Sequence, residues 1–287
     1  MSQRLTAIEA EISALQAEHR LRDTLPLLRE SVELTCSEEG AESSTHVAAL
    51  NELGSLLRTL KELDESEASF RKAAEIESRA RGRSADYATC INNLAGTYRL
   101  KGEYDTAESL FREALEIYEE EVGTDHFVYL SALNNLGLVY QDLKRYEEAE
   151  SLHRQALAVF QKSGKRNTAF ATTLNNLASV AMATGRYQEA EGYLQQTLEL
   201  YEEADGKGSV LYLTGLNNLA AVCFMGGDYH LAEKNFSEAL ALIERVLGAN
   251  HPDWERTSKN LARTRERLKA VRTDDAAEQE RGRPEPA

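Results

Sequence analysis

Apolar residues recur along this chain at helical spacing, in blocks that repeat about every 42 residues. The segments LNEL, INNL, LNNL, LNNL and LNNL begin at Leu50, Ile91, Leu133, Leu174 and Leu216, at intervals of 41, 42, 41 and 42, and a degenerate SKNL begins at Ser258. Each block predicts two helices. The first carries an apolar face such as Ile91, Leu94, Ala95 and Tyr98. A short break follows at Lys101-Gly102, Lys144-Arg145, Thr184-Gly185 or Gly226-Gly227, where glycine suits a left-handed helix cap. The second opens on Tyr104, Tyr146, Tyr187 or Tyr229 and continues as AESLFREALEI or a variant of it. One such hairpin cannot bury its apolar face alone, so stacked neighbours must supply a continuous core.

The order Leu94, Ala95, Tyr98, Ala107, Phe111, Ala114 resembles the tetratricopeptide pattern of large and small core residues. Leu136, Gly137, Tyr140, Ala149 and Ala156 repeat it, with His153 in the Phe slot. The next copy departs, with Ala181 for Tyr, Leu194 for Phe and Thr197 for Ala. The period and the segment VLGANHPDWERTSKNLA resemble the long repeats of kinesin light chains and their bacterial relatives, over roughly residues 44–272. The resemblance implies an all-α fold: a right-handed superhelical solenoid of helical hairpins. Residues 1–43 read as a degenerate capping hairpin, 44–252 as five units, 253–272 as a C-terminal capping helix, and 273–287 as a disordered tail poor in apolar residues.

On a helical wheel the residue before the second Leu of each motif lies about 150° from the apolar centre. That series is Glu52, Asn93, Asn135, Asn176, Asn218 and Asn260. One turn earlier stand Thr89, Ser131, Thr172 and Thr214, and one turn later Val139, Val180 and Val222. The resemblance places this side of the first helices on a concave surface. The expected groove thus has a hydroxyl row, an amide row and a small apolar row, edged by Arg58 and Arg99 early and by Met182, Phe224 and Met225 late. An Asn amide offers a donor and an acceptor, which matches the peptide unit of an extended chain. The alternative is that these amides bond to neighbouring first helices. For the adjoining row, Asn51, Asn92, Asn134, Asn175 and Asn217, packing between units is the expectation. The aromatic series His46, Tyr87, Tyr129, Phe170, Tyr212 and Trp254 falls on the core side.

Composition narrows the function. The net charge of −15 opposes nucleic-acid binding, which needs a cationic field, and opposes anionic membranes. No apolar run approaches the ~20 residues of a spanning helix, and MSQRLTAIEAEIS lacks a secretory pattern. Three separated cysteines, Cys36, Cys90 and Cys223, fit reduced thiols, so the expected compartment is the cytoplasm. No HExxH pair, phosphate-cradling loop or metal-ligand spacing occurs, so no cofactor, metal or catalysis is expected. The expectation is a peptide- or protein-binding adaptor. A self-associating scaffold and an accessory subunit of a separately encoded enzyme stay open, as does the oligomeric state.

Overall fold

The computed structural model describes residues 3–18, 20–164 and 166–281. Among them every regular element is helical: α1 (Gln3–Ala17), a 3-10 turn (Leu21–Thr24), α2 (Leu25–Glu39), α3 (Ser44–Thr59), α4 (Leu63–Arg81), α5 (Ala85–Lys101), α6 (Tyr104–Glu121), α7 (Phe127–Asp142), α8 (Tyr146–Ser163), α9 (Thr168–Ala183), α10 (Tyr187–Asp205), α11 (Val210–Gly226), α12 (Tyr229–Val246) and α13 (Pro252–Arg281). Two compact units divide them, Met1–Leu152 and His153–Ala287.

The helix starts explain the aromatic series. Ser43, Ser84, Asn167 and Ser209 each accept a backbone N–H three residues on, from His46, Tyr87, Phe170 and Tyr212 respectively. The cap thereby fixes where the ring enters the core. His46, Phe170 and Tyr212 are buried, and Tyr87, Tyr129 and Trp254 half-buried, as the wheel predicts. His126 and His251 cap through their own rings, accepting from Val128 N at 3.5 Å and Asp253 N at 3.2 Å. Helix ends follow the glycine reading at Gly102 and Gly227, both left-handed. Lys61 and Lys144 take the same conformation without being glycine.

In the first unit each helix packs on its chain neighbours from α2 through α7, and the first helices α3, α5 and α7 also touch in sequence. Large and small residues alternate on the buried faces, Phe70 and Ala73 on α4 and Ala107, Phe111 and Ala114 on α6, all fully buried. At the N-terminal end Ile8, Ile12 and Leu28 pack with Leu53, Leu56 and Leu57. Glu11, which aligns with the expected Leu, is exposed, and Ile8 and Ile12 supply the contact instead.

Polar clasps join successive hairpins. Tyr98 donates to Glu67 at 2.8 Å, Lys101 donates to the same carboxylate at 2.7 Å and to Asp64 at 2.8 Å, and Arg71 binds both Glu67 and Tyr98. One repeat on, Tyr140, Arg112 and Arg145 converge on Glu108 at 2.8, 3.0 and 3.0 Å. The Lys101 hydrogen bond, joined by Arg71 and Tyr98, holds the Glu67 carboxyl at about 2 despite burial.

In the second unit α9 through α13 pack in chain order, and α11 also touches α13. Helix α13 closes the end with Thr257, Leu261, Thr264 and Leu268, all buried at helical spacing. The helix runs to Arg281, past the expected stop at residue 272. The reason is local: TDDAAEQER is rich in Ala, Glu and Gln, and no proline intervenes before Pro284. The last six residues of the expected tail lie outside the described residues.

Candidate functional site

The first-helix face is built from rows of equivalent positions, and the structure treats the rows differently. Ser131, Thr172 and Thr214 are exposed and Thr89 half-buried. Thr172 and Thr214 donate back to Thr168 O and Val210 O at 2.9 Å each, so their outward lone pairs act as acceptors. Thr89 donates to Ala85 O and accepts from Tyr118 at 3.0 Å, which ties it to its own hairpin.

The amide row splits by unit. In the first, Asn93 Nδ2 donates to Asn51 Oδ1 at 3.3 Å and Asn135 Nδ2 to Asn92 Oδ1 at 3.5 Å. These are rungs between adjacent first helices, the alternative that the sequence left open for this row. Asn51 also donates to Cys90 Sγ at 3.3 Å, and in the second unit Asn217 accepts from Thr257 at 2.9 Å. The adjoining Asn row therefore joins units where these bonds form. Elsewhere in the second unit the amides are less engaged. Asn218 is exposed, Asn176 Nδ2 is buried without a hydrogen bond, and Asn175 donates to Tyr201 OH at 2.9 Å while its Oδ1 stays unpaired.

A cavity of about 190 Å³ opens there, lined by Asn175, Ala178, Ser179 and Met182 of α9, Leu194 of α10, and Asn218 and Ala221 of α11. Met182 is half-buried at its wall and Met225 is exposed at 49%. Phe224 is engaged elsewhere: its ring meets Tyr229 edge-on at 5.3 Å and carries the Arg263 guanidinium at 4.4 Å.

The small apolar row is corrected outright. Val139, Val180 and Val222 are at most 1% exposed, so they do not form a row on the open first-helix face. Their equivalent in the preceding repeat, Thr97, shows what covers the position: its hydroxyl lies 3.1 Å from Ser66 Oγ, on the second helix of the preceding hairpin. A wheel drawn for one hairpin counts this flank as free, whereas stacking buries it. At the other edge Arg99 pairs with Asp142 at 3.3 Å. Arg58 donates to Asn93 O at 3.0 Å and lies over the Phe70 ring.

Groups with reactive potential are withdrawn. Burial pushes the thiols of Cys90 and Cys223 up to about 11 and about 12. His153 is fully buried and burial lowers it to about 4. No three His, Cys, Asp or Glu side chains among the described residues are placed to hold a metal.

The tetratricopeptide repeat profile matches residues 45–120, 89–162, 128–203, 169–233 and 211–279. The chain belongs to the tetratricopeptide repeat family. Among solved tetratricopeptide structures it is similar to BtubC (BKLC) from P. vanneervenii, with a TM-score of 0.67, 22% identity, and coverage of 81% of this chain and 94% of that one. It is also similar to the nearly identical TPR-like repeats of a chain described as a kinesin light chain from Podosopora anserina. There the TM-score is 0.60 at 19% identity, covering 72% and 98%. At such identities these likenesses establish the fold. No curated protein sequence matches the chain significantly. The tetratricopeptide helices of the described residues include none long and apolar enough to cross a membrane.

Proposed function

We propose that this tetratricopeptide protein is a non-catalytic cytoplasmic adaptor that holds an extended peptide on its first-helix face. The observation that carries the reading is the cavity lined by Asn175, Asn218 and Met182, where Asn175 Oδ1 stays unpaired; Asn176 Nδ2 on the next residue of α9 is unpaired as well. Buried polar atoms without partners are costly, so an arrangement that keeps them suits a site completed by another chain's peptide groups. In the first unit the Asn93 and Asn135 donors are spent on rungs, so there the face offers hydroxyl and amide oxygens, with Ser131 exposed. In the second unit Asn176, Asn218, Thr172 and Thr214 supply the peptide contacts, and Met182 and Met225 supply adaptable apolar surface. The buried thiols and the buried neutral His153 support holding over chemistry.

The test starts from peptides selected against the full chain from a random displayed library. Asn176→Ala combined with Asn218→Ala removes two amides, about 1–3 kcal/mol of hydrogen bonding, so a selected peptide should bind about fivefold to a hundredfold more weakly. Unchanged affinity in a double variant that melts normally removes the site. A second reading rests on α13, where Arg256, Lys259, Arg263, Arg267 and Lys269 are exposed on a chain of net charge −15. That basic strip suits self-association against an acidic surface of another copy. A salt-sensitive dimer by size exclusion would favour the scaffold role.

A further inference from the structure

The clasp glutamate recurs at five equivalent positions, Glu67, Glu108, Glu150, Glu191 and Glu233. Three of these hold a cation from the next first helix or its C-terminal turn: Lys101 on Glu67 at 2.7 Å, Arg145 on Glu108 at 3.0 Å, and Arg265 on Glu233 at 2.8 Å. At Glu191 every partner position has changed. The tyrosine slot of Tyr98 and Tyr140 is Cys223. The Lys101 position is Gly226, the Arg145 position is Asp228, and the Arg71 and Arg112 position is Gln195. Glu191 keeps one hydrogen bond, accepted from Gln195 Nε2 at 2.9 Å, and no cation among the described residues pairs with it.

The lost side chains leave space. A cavity of about 570 Å³ stands where the clasp would be, lined by Gly185 to Glu189, Glu191, Val222, Cys223, Gly226 and Asp228. Its wall carries Glu189, Glu191 and Asp228 against one cation, Arg186. Glu189 is already bound by Arg186 at 2.9 Å and by Arg154 at 2.7 Å, whereas Glu191 and Asp228 have no ion pair among the described residues, Asp228 Oδ1 accepting from Leu231 N at 2.9 Å as the cap of α12. A β-carbon on Gly226 would approach Tyr187 Cβ to 3.1 Å, so its glycine also keeps the wall beside Tyr187 clear.

We propose that this cavity is a receptor for an arginine side chain presented by a partner protein, which supplies in trans the cation that neighbouring repeats supply themselves. Three equivalent glutamates already show what the position binds, and the cavity shows that here the place is open. Arginine fits better than lysine because its planar fork can bond Glu191 and Asp228 together, with the Tyr187 ring beside it. The site is separate from the asparagine face and does not depend on it.

The experiment follows backbone amides of the ¹⁵N-labelled full chain during titration with acetyl-arginine amide. Its neutral isostere acetyl-citrulline amide is the control. The arginine probe should shift Gly185, Cys223 and Gly226 with a dissociation constant on the order of 1 mM, the scale of a single small-ligand contact. Citrulline should not shift them. Glu191→Gln should weaken the effect at least about tenfold, one unit on the affinity scale. Cys223→Tyr with Gly226→Lys, which rebuilds the internal clasp, should abolish it. Asn176→Ala with Asn218→Ala should leave it unchanged, so failure of the peptide face and failure of this site read out separately. No shift at these amides, equal shifts from citrulline, or full binding by Glu191→Gln would each overturn the proposal.

Discussion

Gly54 and Gly192 both lie inside helices, yet the same substitution has opposite expected outcomes. A β-carbon on Gly54 would stand 2.9 Å from the Phe70 ring, which is fully buried and cannot swing away. Overpacking of about 1–3 kcal/mol outweighs the gain of about 1 kcal/mol from replacing a helical glycine. Gly54→Ala should therefore lower stability, while Gly192→Ala, with nothing within 4 Å, should raise it by up to about 1 kcal/mol. Thermal melts of the two variants decide the sign. His153 gives a second residue-scale outcome. It occupies the Phe slot of Phe70 and Phe111, and burial lowers it to about 4, below its ordinary 6.5. Between those values the unfolded chain binds a proton that the folded chain refuses, so stability falls as pH drops from about 6.5 towards 4. His153→Phe should flatten that dependence, and equal loss of melting temperature between pH 7 and pH 5 in both proteins would contradict the assignment. The histidine's place in the core was legible because the repeat names its slot. The Asn93–Asn51 rung was not, because a wheel gives a side chain's direction and not its partner.

At the scale of elements, the helix pairs, the breaks and a last helix packed on the final pair could all be read from the 42-residue period. Two features could not. The flank holding Val139, Val180 and Val222 looked free because its cover belongs to another hairpin. The reach of α13 to Arg281 goes beyond the expected stop because TDDAAEQER continues a packed helix without a breaker, although its few apolar residues point away from a core. The two parts of α13 should accordingly separate in a truncation series. Its packed part holds Leu261 and Leu268 in the core, donates from Thr257 to Asn217 and from Arg265 to Glu233, and covers Phe224 with Arg263. Deleting residue 252 onward should expose the α12 side around Phe236 and produce aggregation or a clear drop in melting temperature, because terminal caps keep repeat arrays soluble. Deleting residues 273–287 alone should change melting little. Equal behaviour of the two truncations would show that the packed part is no cap.

At the scale of the molecule, successive hairpins keep the same core positions buried while the residues at their junctions vary. The first unit closes its junctions with Glu67 and Glu108 clasps and spends Asn93 and Asn135 on rungs. The second leaves Glu191 without a cation, Asn175 Oδ1 and Asn176 Nδ2 unpaired, and cavities beside both. On the proposed reading, this unmet bonding capacity is what a held chain would satisfy. The repeat pattern announced the scaffold, but not which copies were left open, since that depends on pairings across helices. Methionine makes the central claim directly measurable. The chain has three: Met1, Met182 at the asparagine-lined cavity, and Met225 on the same helical end as Gly226. With ¹³C-methyl methionine in the full chain and a library-selected peptide as ligand, the account predicts that the Met182 resonance moves and saturates with binding while Met1 stays fixed. A peptide that binds and leaves the Met182 methyl where it was would contradict it.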